Sequence, residues 1–387
     1  MTPPMRIDRV RLFLLGLPLL HSFQTSSHRK SAIAHVLVEL TDADGAVGWG
    51  EIASPSDPYF CAETTETAWE IATRYLVPAT LGAEWSRPED CDAAFAKVRG
   101  NEFARAGFVG AAWDLHARRR GVSLAAALGG TRTEVVAGVS LGIESSIDAL
   151  LVQVAAQLKA GYGRVKLKIA PGWDVEVVRA VRAAFPGIDL HVDANGAYPR
   201  TAESTAVFRT LDESALTMIE QPFGVRDFLA HAELQGQIDT PVCLDESIVG
   251  VEDIETMLRL DAGRIVNIKV SRMGGLTQAK RAHDVAAAAE VPVWCGGMHE
   301  FGVGRAANVA ISSLPNFSLP SDVSGSDKYY ASDIVSPPVR ALGGRVPVPR
   351  AAGLGHEVDV ERVIEWASRS FDSAAVDELS TQRRVRS

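Results

Sequence analysis

A chain of 387 residues is too long for one small core and calls for two domains, or one barrel with an added cap. It is 47% hydrophobic and 22% charged, an ordinary globular mixture, with a formal net charge of −9 and a pI near 5.6. That acidic balance, with no Lys/Arg run and no basic–aromatic interleaving, argues against a nucleic-acid partner. Cys61, Cys91, Cys243 and Cys295 are scattered and form no C-x-x-C pair, so they read as reduced structural thiols of a cytoplasmic protein.

The apolar run at 12–20 is far short of the roughly 20 residues that span a bilayer, and no small-residue cleavage pattern follows it. Residues 9–15 are therefore a first strand rather than a targeting segment, and no membrane association is expected. A second strand is expected at 33–40, beyond a polar loop at 21–31. The turn Asp42-Ala-Asp-Gly45 leads into Val-Gly-Trp-Gly-Glu at 47–51, the pattern of a hairpin. Helical periodicity follows at 64–75 and again at 88–120, where Gly121 ends it. Residues 1–130 read together as an α+β unit.

From residue 131 the texture changes to short β-rich runs alternating with Ala-rich helical stretches. The strand candidates are 135–141, 165–169, 188–193, 217–220, 242–245, 265–269, 291–295 and 317–319. From Lys168 onward the strand ends fall roughly 25 residues apart, near the length of one βα unit. Eight such units spell an α/β fold, a parallel (β/α) barrel covered by helices and ending near residue 335. A doubly wound open sheet is the alternative, but no G-x-G-x-x-G follows a first strand. Beyond it, a segment at 336–387 is expected to return toward the cap. Within it 337–349 reads as loop, 358–368 as a last helix and 372–387 as a polar tail.

Barrel enzymes place their chemistry at the C-terminal ends of strands, and the polar residues fall there. In chain order these are Lys166-Leu-Lys168, Asp193-Ala-Asn195, Glu220 in Ile-Glu-Gln-Pro, Asp245-Glu246, Lys269 in Asn-Ile-Lys, and Gly296-Gly-Met-His299-Glu300. One strand-end carboxylate is ordinarily a helix N-cap or an ion-pair partner. Carboxylates ending three successive strands are harder to explain that way, because Asp193, Glu220 and Asp245 would repel unless a cation sat between them. Oxygen-only ligands select a hard ion, Mg²⁺ first and Mn²⁺ second. Such an ion keeps positions for a small carboxylate substrate and can stabilise charge developing on it.

In an eight-stranded barrel, strands 2 and 6 lie on opposite sides of the axis. Lys168 and Lys269 then face each other across a substrate α-carbon, suited to removing a proton from one face and returning one to the other. To act as bases near neutrality they need pKa values lowered from about 10.4 toward 7–8. Lys166, on the same face of its strand as Lys168 and about 6.5 Å along it, is expected to supply that repulsion.

Several longer runs carry a resemblance. They are Arg-Val-Lys-Leu-Lys-Ile-Ala-Pro-Gly-Trp-Asp at 164–174, Ile-Glu-Gln-Pro at 219–222, Pro-Val-Cys-Leu-Asp-Glu-Ser-Ile at 241–248, Ile-Val-Asn-Ile-Lys at 265–269 and Ser-Leu-Pro-Asn-Phe-Ser-Leu-Pro at 313–320. In these runs, over most of its length, the chain resembles the enolase superfamily and its muconate-lactonizing-enzyme subgroup. Within that subgroup it is most similar to the o-succinylbenzoate synthase / N-succinylamino acid racemase family. The resemblance implies an N-terminal α+β capping domain over a modified (β/α)₇β TIM-like barrel, with Asp193, Glu220 and Asp245 as metal ligands. It implies that Lys168 is the base of the synthase dehydration while Lys269 steadies an enolate, and that both exchange protons in racemisation.

Arg272 matches an arginine that accompanies racemase activity in the family. The loops at 21–31 and 57–63 would close over the substrate, with Phe23, Ser26 and Tyr59 as candidate contacts. Asn195, Glu246, Glu300 and His299 would support the ligands or line the pocket. A mandelate-racemase reading of His299 needs an Asp on strand 6, which instead ends in Lys269. Asp322-Val-Ser324 departs from the Asp-x-Asp of dipeptide epimerases. Muconate-type cycloisomerisation is the enzymatic alternative, and a non-catalytic binding barrel is the alternative of another class. A homo-oligomer is expected by family analogy alone.

Overall fold

The apolar run near the N-terminus belongs to a strand much longer than itself, β1 (Met5–Gln24), in a computed structural model that describes residues 4–24 and 29–375. β1 pairs antiparallel with β2 (Arg29–Asp42), and the ladder runs on to Phe23↔Lys30 and Gln24↔Arg29. Residues 21–24 and 29–31, expected as loop, are therefore strand. The outer end of this hairpin is largely exposed, so its side chains lack the apolar alternation that marks a half-buried strand. β2 continues through the expected hairpin into β3 (Val47–Ile52).

The helical stretch expected at 88–120 is broken. A short turn of helix at Glu89–Ala94 is followed by α1 (Glu102–Arg119), and between them Gly100 and Asn101 both take positive φ. α1 lies directly on β3. A Cβ on Gly48 would sit 2.3 Å from Ala111 O, and one on Gly50 1.9 Å from Gly107 O, which explains the Val-Gly-Trp-Gly-Glu pattern.

Seven parallel strands follow: β4 (Val139–Leu141), β5 (Arg164–Lys168), β6 (Asp189–Asp193), β7 (Met218–Glu220), β8 (Val242–Leu244), β9 (Ile265–Ile268) and β10 (Val293–Cys295). They hydrogen-bond in sequence order. Each is followed by a helix, in turn α2 (Ile147–Lys159), α3 (Val175–Ala184), α4 (Ala202–Asp212), α5 (Phe228–Gln235), α6 (Val251–Leu260), α7 (Leu276–Ala288) and α8 (Gly302–Ile311). The run expected as one strand at 135–141 splits, because Glu134–Val136 turns away to pair antiparallel with Arg345–Pro347.

No regular strand forms at 317–319. The sheet closes slightly later, through a parallel bridge between Ala137 and Ser321, with Asp322 N donating to Cys295 O at 2.8 Å and Gly138 N to Ser321 O at 2.8 Å. The eighth strand is thus reduced to the contacts that join β10 to β4. The last helix, α9 (Val360–Trp366), ends two residues earlier than expected. It gives way to β11 (Ala367–Asp372), which pairs antiparallel with the free edge of β1. The cap sheet therefore has the order β11-β1-β2-β3, with the chain's far end sewn into its start.

The large apolar core runs from the cap sheet to the layer between barrel strands and helices. A second, small cluster of Met218, Cys243, Ile265 and Trp294 fills the barrel interior beneath the polar mouth. Cap and barrel are also tied by charge. The buried Glu51 carboxylate of β3 accepts from Phe301 N (2.8 Å) and Gly304 N (2.7 Å) at the start of α8, and lies 2.7 Å from His35 Nδ1. Those N–H groups have no partner within the helix, so a carboxylate there is favourable twice over. The four cysteines are free, and no described helix is long and apolar enough to cross a membrane.

Candidate active site

Strand register sets the first layer of the site. Lys168, Asp193 and Glu220 are successive partners across β5, β6 and β7, so their side chains leave the sheet at one level. Asp245 and Lys269 each lie one residue past the end of β8 and β9 and complete the arc. Period-2 alternation turns this set inward, together with Lys166, His191 and Asn267. All of them are buried.

The carboxylate oxygens of Asp193, Glu220 and Asp245 lie within 4.8 Å of one another. Each acid is met by cations of adjacent strands. Lys168 Nζ bonds Asp193 Oδ2, Lys269 Nζ bonds Asp245 Oδ2 at 2.8 Å, and Lys166 Nζ reaches Glu220 Oε2 at 3.1 Å and Asp193 Oδ2 at 3.4 Å. The two outer lysines thus stand at the ends of the acidic arc, with Glu220 at its centre. Asn267 Nδ2 holds the other Glu220 oxygen at 2.8 Å. Arg272 bonds Asp245 Oδ1 and fixes itself on Ile248 O (2.7 Å) and Asn267 O (2.6 Å). It therefore acts on Asp245 and on the backbone, at the edge of a larger cavity.

The residues present suit a divalent cation. Three fully buried, all-oxygen donors converge, and their negative charges are imperfectly offset. Burial and the Glu220 charge push the Asp193 carboxyl above its usual range. Burial together with Asp245 and Asp193 pushes Glu246 up to about 7. Glu246 takes one hydrogen bond, from Asn195 Nδ2 at 2.9 Å, while its Oε2 and the Asn195 Oδ1 are buried without a partner. A cation here would relieve both the repulsion and the orphaned oxygens.

The expectation of a depressed lysine pKa is not met for Lys269. Burial pulls Lys269 down, but Asp245 and Glu246 outweigh it and leave the ammonium above its ordinary value. Burial likewise opposes Lys166, yet Asp322, Glu220 and Asp193 hold it well above. Sequence spacing showed the repelling lysine neighbour but not the acids in direct contact. A dication among those acids would compete for the same oxygens and weaken this effect.

Several members of the site had no signal in the strand-end pattern. Asp322, on the segment that closes the barrel, lies 3.0 Å from Lys166 Nζ, and it accepts from Arg164 Nη2 at 2.8 Å and Ser140 Oγ at 3.1 Å. Burial raises its pKa, but Lys166 and Arg164 prevail and hold it well below the usual carboxylate range. The bond to Arg164 also answers the Asp-x-Asp comparison: Asp322 is spent on the barrel's own cations, and Ser324 Oγ donates to Tyr329 OH. Trp294 forms the floor, with Lys166 Nζ 4.6 Å and Arg164 Cζ 5.2 Å from its ring centre. His191 Nε2 lies 2.9 Å from Glu220 Oε2 without hydrogen-bond geometry; burial, then Lys166 and Arg164, keep it neutral.

A small cavity of about 50 Å³ opens above these groups, lined by Lys166, Lys168, Lys269, Glu300, Asp322 and, from the cap, Phe23. His299 enters it between the rings of Phe23 (4.9 Å) and Tyr329 (5.1 Å), and burial with the surrounding cations keeps its imidazole neutral. Glu300 also offers its carbonyl to the buried Arg305 at 2.8 Å. In the second cap loop Tyr59 is exposed, and it is the adjacent Phe60 that covers the site, 4.5 Å from Lys269 Nζ. Ser26 lies outside the described residues. Two larger cavities flank the centre. One of about 850 Å³ runs past Phe60, Glu246 and Arg272; one of about 750 Å³ shares Phe23, Ser140 and Tyr329 with the central cavity.

Known proteins carry the same plan. Residues 149–363 match the family described as enolase C-terminal domain-like, and residues 11–129 match the mandelate racemase / muconate lactonizing enzyme N-terminal domain. An o-succinylbenzoate synthase from Geobacillus kaustophilus is 45% identical over 364 residues, which is 93% of this chain and 96% of that protein. An N-succinylamino acid racemase from Amycolatopsis sp is 44% identical over 352 residues, 91% of this chain and 95% of that one. A solved structure of an enolase-superfamily member from Listeria innocua matches with a TM-score of 0.91 at 38% identity, over 95% of this chain and 99% of its own. With both halves of the family matched and an acidic triad at the barrel mouth, the chain belongs to the mandelate racemase / muconate lactonizing enzyme family of the enolase superfamily.

Proposed function

We propose that the chain catalyses metal-dependent removal of the proton α to a substrate carboxylate, and that its reaction is o-succinylbenzoate synthesis, N-succinylamino acid racemisation, or both in one site. The observation that carries this reading is the arc itself, with Lys168 and Lys269 at opposite ends of three converging carboxylates. Relatives of both names, about equally similar to this chain, support pairing the two reactions.

In this reading Asp193, Glu220 and Asp245 hold Mg²⁺, with Mn²⁺ as a substitute. When bound, the cation anchors the substrate carboxylate and stabilises negative charge developing on it. Lys168 and Lys269 approach the α-carbon from opposite faces, one taking the proton and the other, for a racemase, returning one. For the dehydration Lys168 takes the α-proton and returns it to the departing hydroxyl as the C–O bond breaks, so that water leaves. Lys269, held against Phe60, stays charged beside the developing anion. Lys166 keeps the inner acids compensated, and the Trp294 floor and Phe23 roof exclude water.

The test is incubation in D₂O with Mg²⁺, following α-deuteration of N-succinylamino acids by NMR, alongside an assay for o-succinylbenzoate formation. Exchange alone selects the racemase, and dehydration alone selects the synthase. Chelation should abolish turnover while circular dichroism stays unchanged; full activity without a divalent ion sinks the metal assignment, and neither reaction occurring sinks the substrate assignment.

A further inference from the structure

A cation of the cap stands beside the cavity, apart from the charges of the barrel mouth. Lys30 in β2 is the direct antiparallel partner of Phe23 in β1, and residues so paired project from the same face of the hairpin. On that face Phe23 lines the reaction cavity with its ring 4.9 Å from His299. Lys30 is therefore part of the same roof, and its charge is felt at Lys168, Lys269 and His299.

The groups beneath it are already matched. Arg164 bonds Asp322, Lys166 bonds Glu220, Lys168 bonds Asp193, and Lys269 and Arg272 bond Asp245. Arg305, which lines the same cavity, is held on the Ser324 and Glu300 carbonyls and over the Tyr329 ring. Among the described residues Lys30 forms no ion pair or side-chain hydrogen bond, and the charge of Asp57 favours its ammonium form. Burial, relieved in part by Asp57, lowers its pKa, as befits a cation partly withdrawn from water. His299, held neutral, adds no opposing charge.

We infer that Lys30 is a specificity-determining residue, which receives a second carboxylate of the substrate, distal to the one held at Asp193, Glu220 and Asp245. The inference rests on the reaction proposed above and assigns a residue of the cap to the distal carboxylate of its substrates. A partly desolvated ammonium is costly without a partner, and a substrate bearing only one carboxylate leaves it so. A succinyl chain ends in a carboxylate several atoms from the α-carbon and supplies the missing charge.

The test compares N-succinylphenylalanine with N-acetylphenylalanine on the Mg²⁺-loaded full chain, by calorimetric binding and by α-proton exchange, for the wild type, Lys30→Met and Lys30→Arg. Lys30→Met should weaken binding and raise KM for the succinyl compound roughly ten- to a hundredfold, the worth of one charge-assisted contact, and leave the acetyl compound unaffected. Lys30→Arg should restore most of the preference. Equal binding of both compounds by the wild type, or equal loss of both in Lys30→Met, overturns the assignment. If neither compound exchanges its proton, the proposed reaction fails on its own. The calorimetric preference then still decides Lys30, upheld if it disappears in Lys30→Met and overturned if it is absent from the wild type.

Discussion

On the barrel side of the cavity Lys166, Lys168 and Lys269 each touch a buried carboxylate; Lys168 ends its strand, Lys166 lies two residues before it on the same face, and Lys269 follows directly on its own strand. On the cap side Phe23 lines the same cavity, Lys30 pairs with it in the hairpin, and Phe60 covers Lys269 from a loop. The barrel side is dense in opposed charge and held inside a parallel sheet; the cap side is aromatic, sparsely charged and carried by the outer end of a hairpin and a loop. Proton chemistry needs groups held to fractions of an ångström, which strands provide. Substrate selection needs a surface that can change without disturbing those groups, and loops on a rigid scaffold provide that.

The strongest way to break this division is to remove one lysine at a time. Lys168→Ala or Lys269→Ala should lower α-proton exchange by about 10²- to 10⁴-fold, the usual worth of a positioned acid or base. The exchange that survives should come from opposite enantiomers in the two variants, measured by NMR in D₂O from each pure enantiomer. Equal loss for both enantiomers in both variants would show that the lysines do not address opposite faces.

Next in size is the support behind the acidic triad. Asn267→Ala removes the hydrogen bond that orients Glu220 and should weaken Mg²⁺ binding about 10- to 100-fold by calorimetric titration. An unchanged affinity would mean that the barrel holds Glu220 without it.

Phe60 tests whether the cap only selects. Phe60→Ala removes a ring 4.5 Å from Lys269 Nζ, a contact worth about 0.5–2 kcal/mol, so kcat/KM should fall by roughly 2- to 30-fold. The same loss in kcat for all substrates would place part of the catalytic geometry in the cap. A loss confined to the KM of some substrates would sharpen the division.

The smallest effect concerns stability. Glu63, just beyond Phe60, accepts from Phe103 N (3.0 Å) and Ala104 N (3.1 Å) at the start of α1, yet burial raises its carboxyl to about 7. A carboxyl whose folded pKa lies above its unfolded one contributes stability that is complete below the unfolded value and lost as pH rises through about 7. Glu63→Gln should therefore flatten the fall in thermal stability between about pH 5 and 7. An unaltered pH profile would show that the helix N–H groups fully offset the burial.

Lys168, Asp193, Glu220, Asp245 and Lys269 were legible in the sequence because each marks the end of a β-rich run, and barrel strands deliver such ends to one face. The alternation of Lys166 with Lys168 fixed their common side. The helix on Gly48 and Gly50 could be read only as a hairpin, since the partner that needs the missing Cβ atoms lies some sixty residues away. Tertiary structure alone decided the rest. It moved the barrel's closing contact to Ser321 and Asp322, where one bridge and a few backbone hydrogen bonds replace a strand. It turned residues 367–372 into an edge strand on β1, a pairing whose partner is separated by most of the chain. It reversed the expected shift of Lys269 by setting acids against it, and it brought Phe60 and Lys30 over the lysines. Local periodicity encodes which way a side chain leaves its strand; which distant charge or ring then meets it depends on how the sheet closes and where the cap lands.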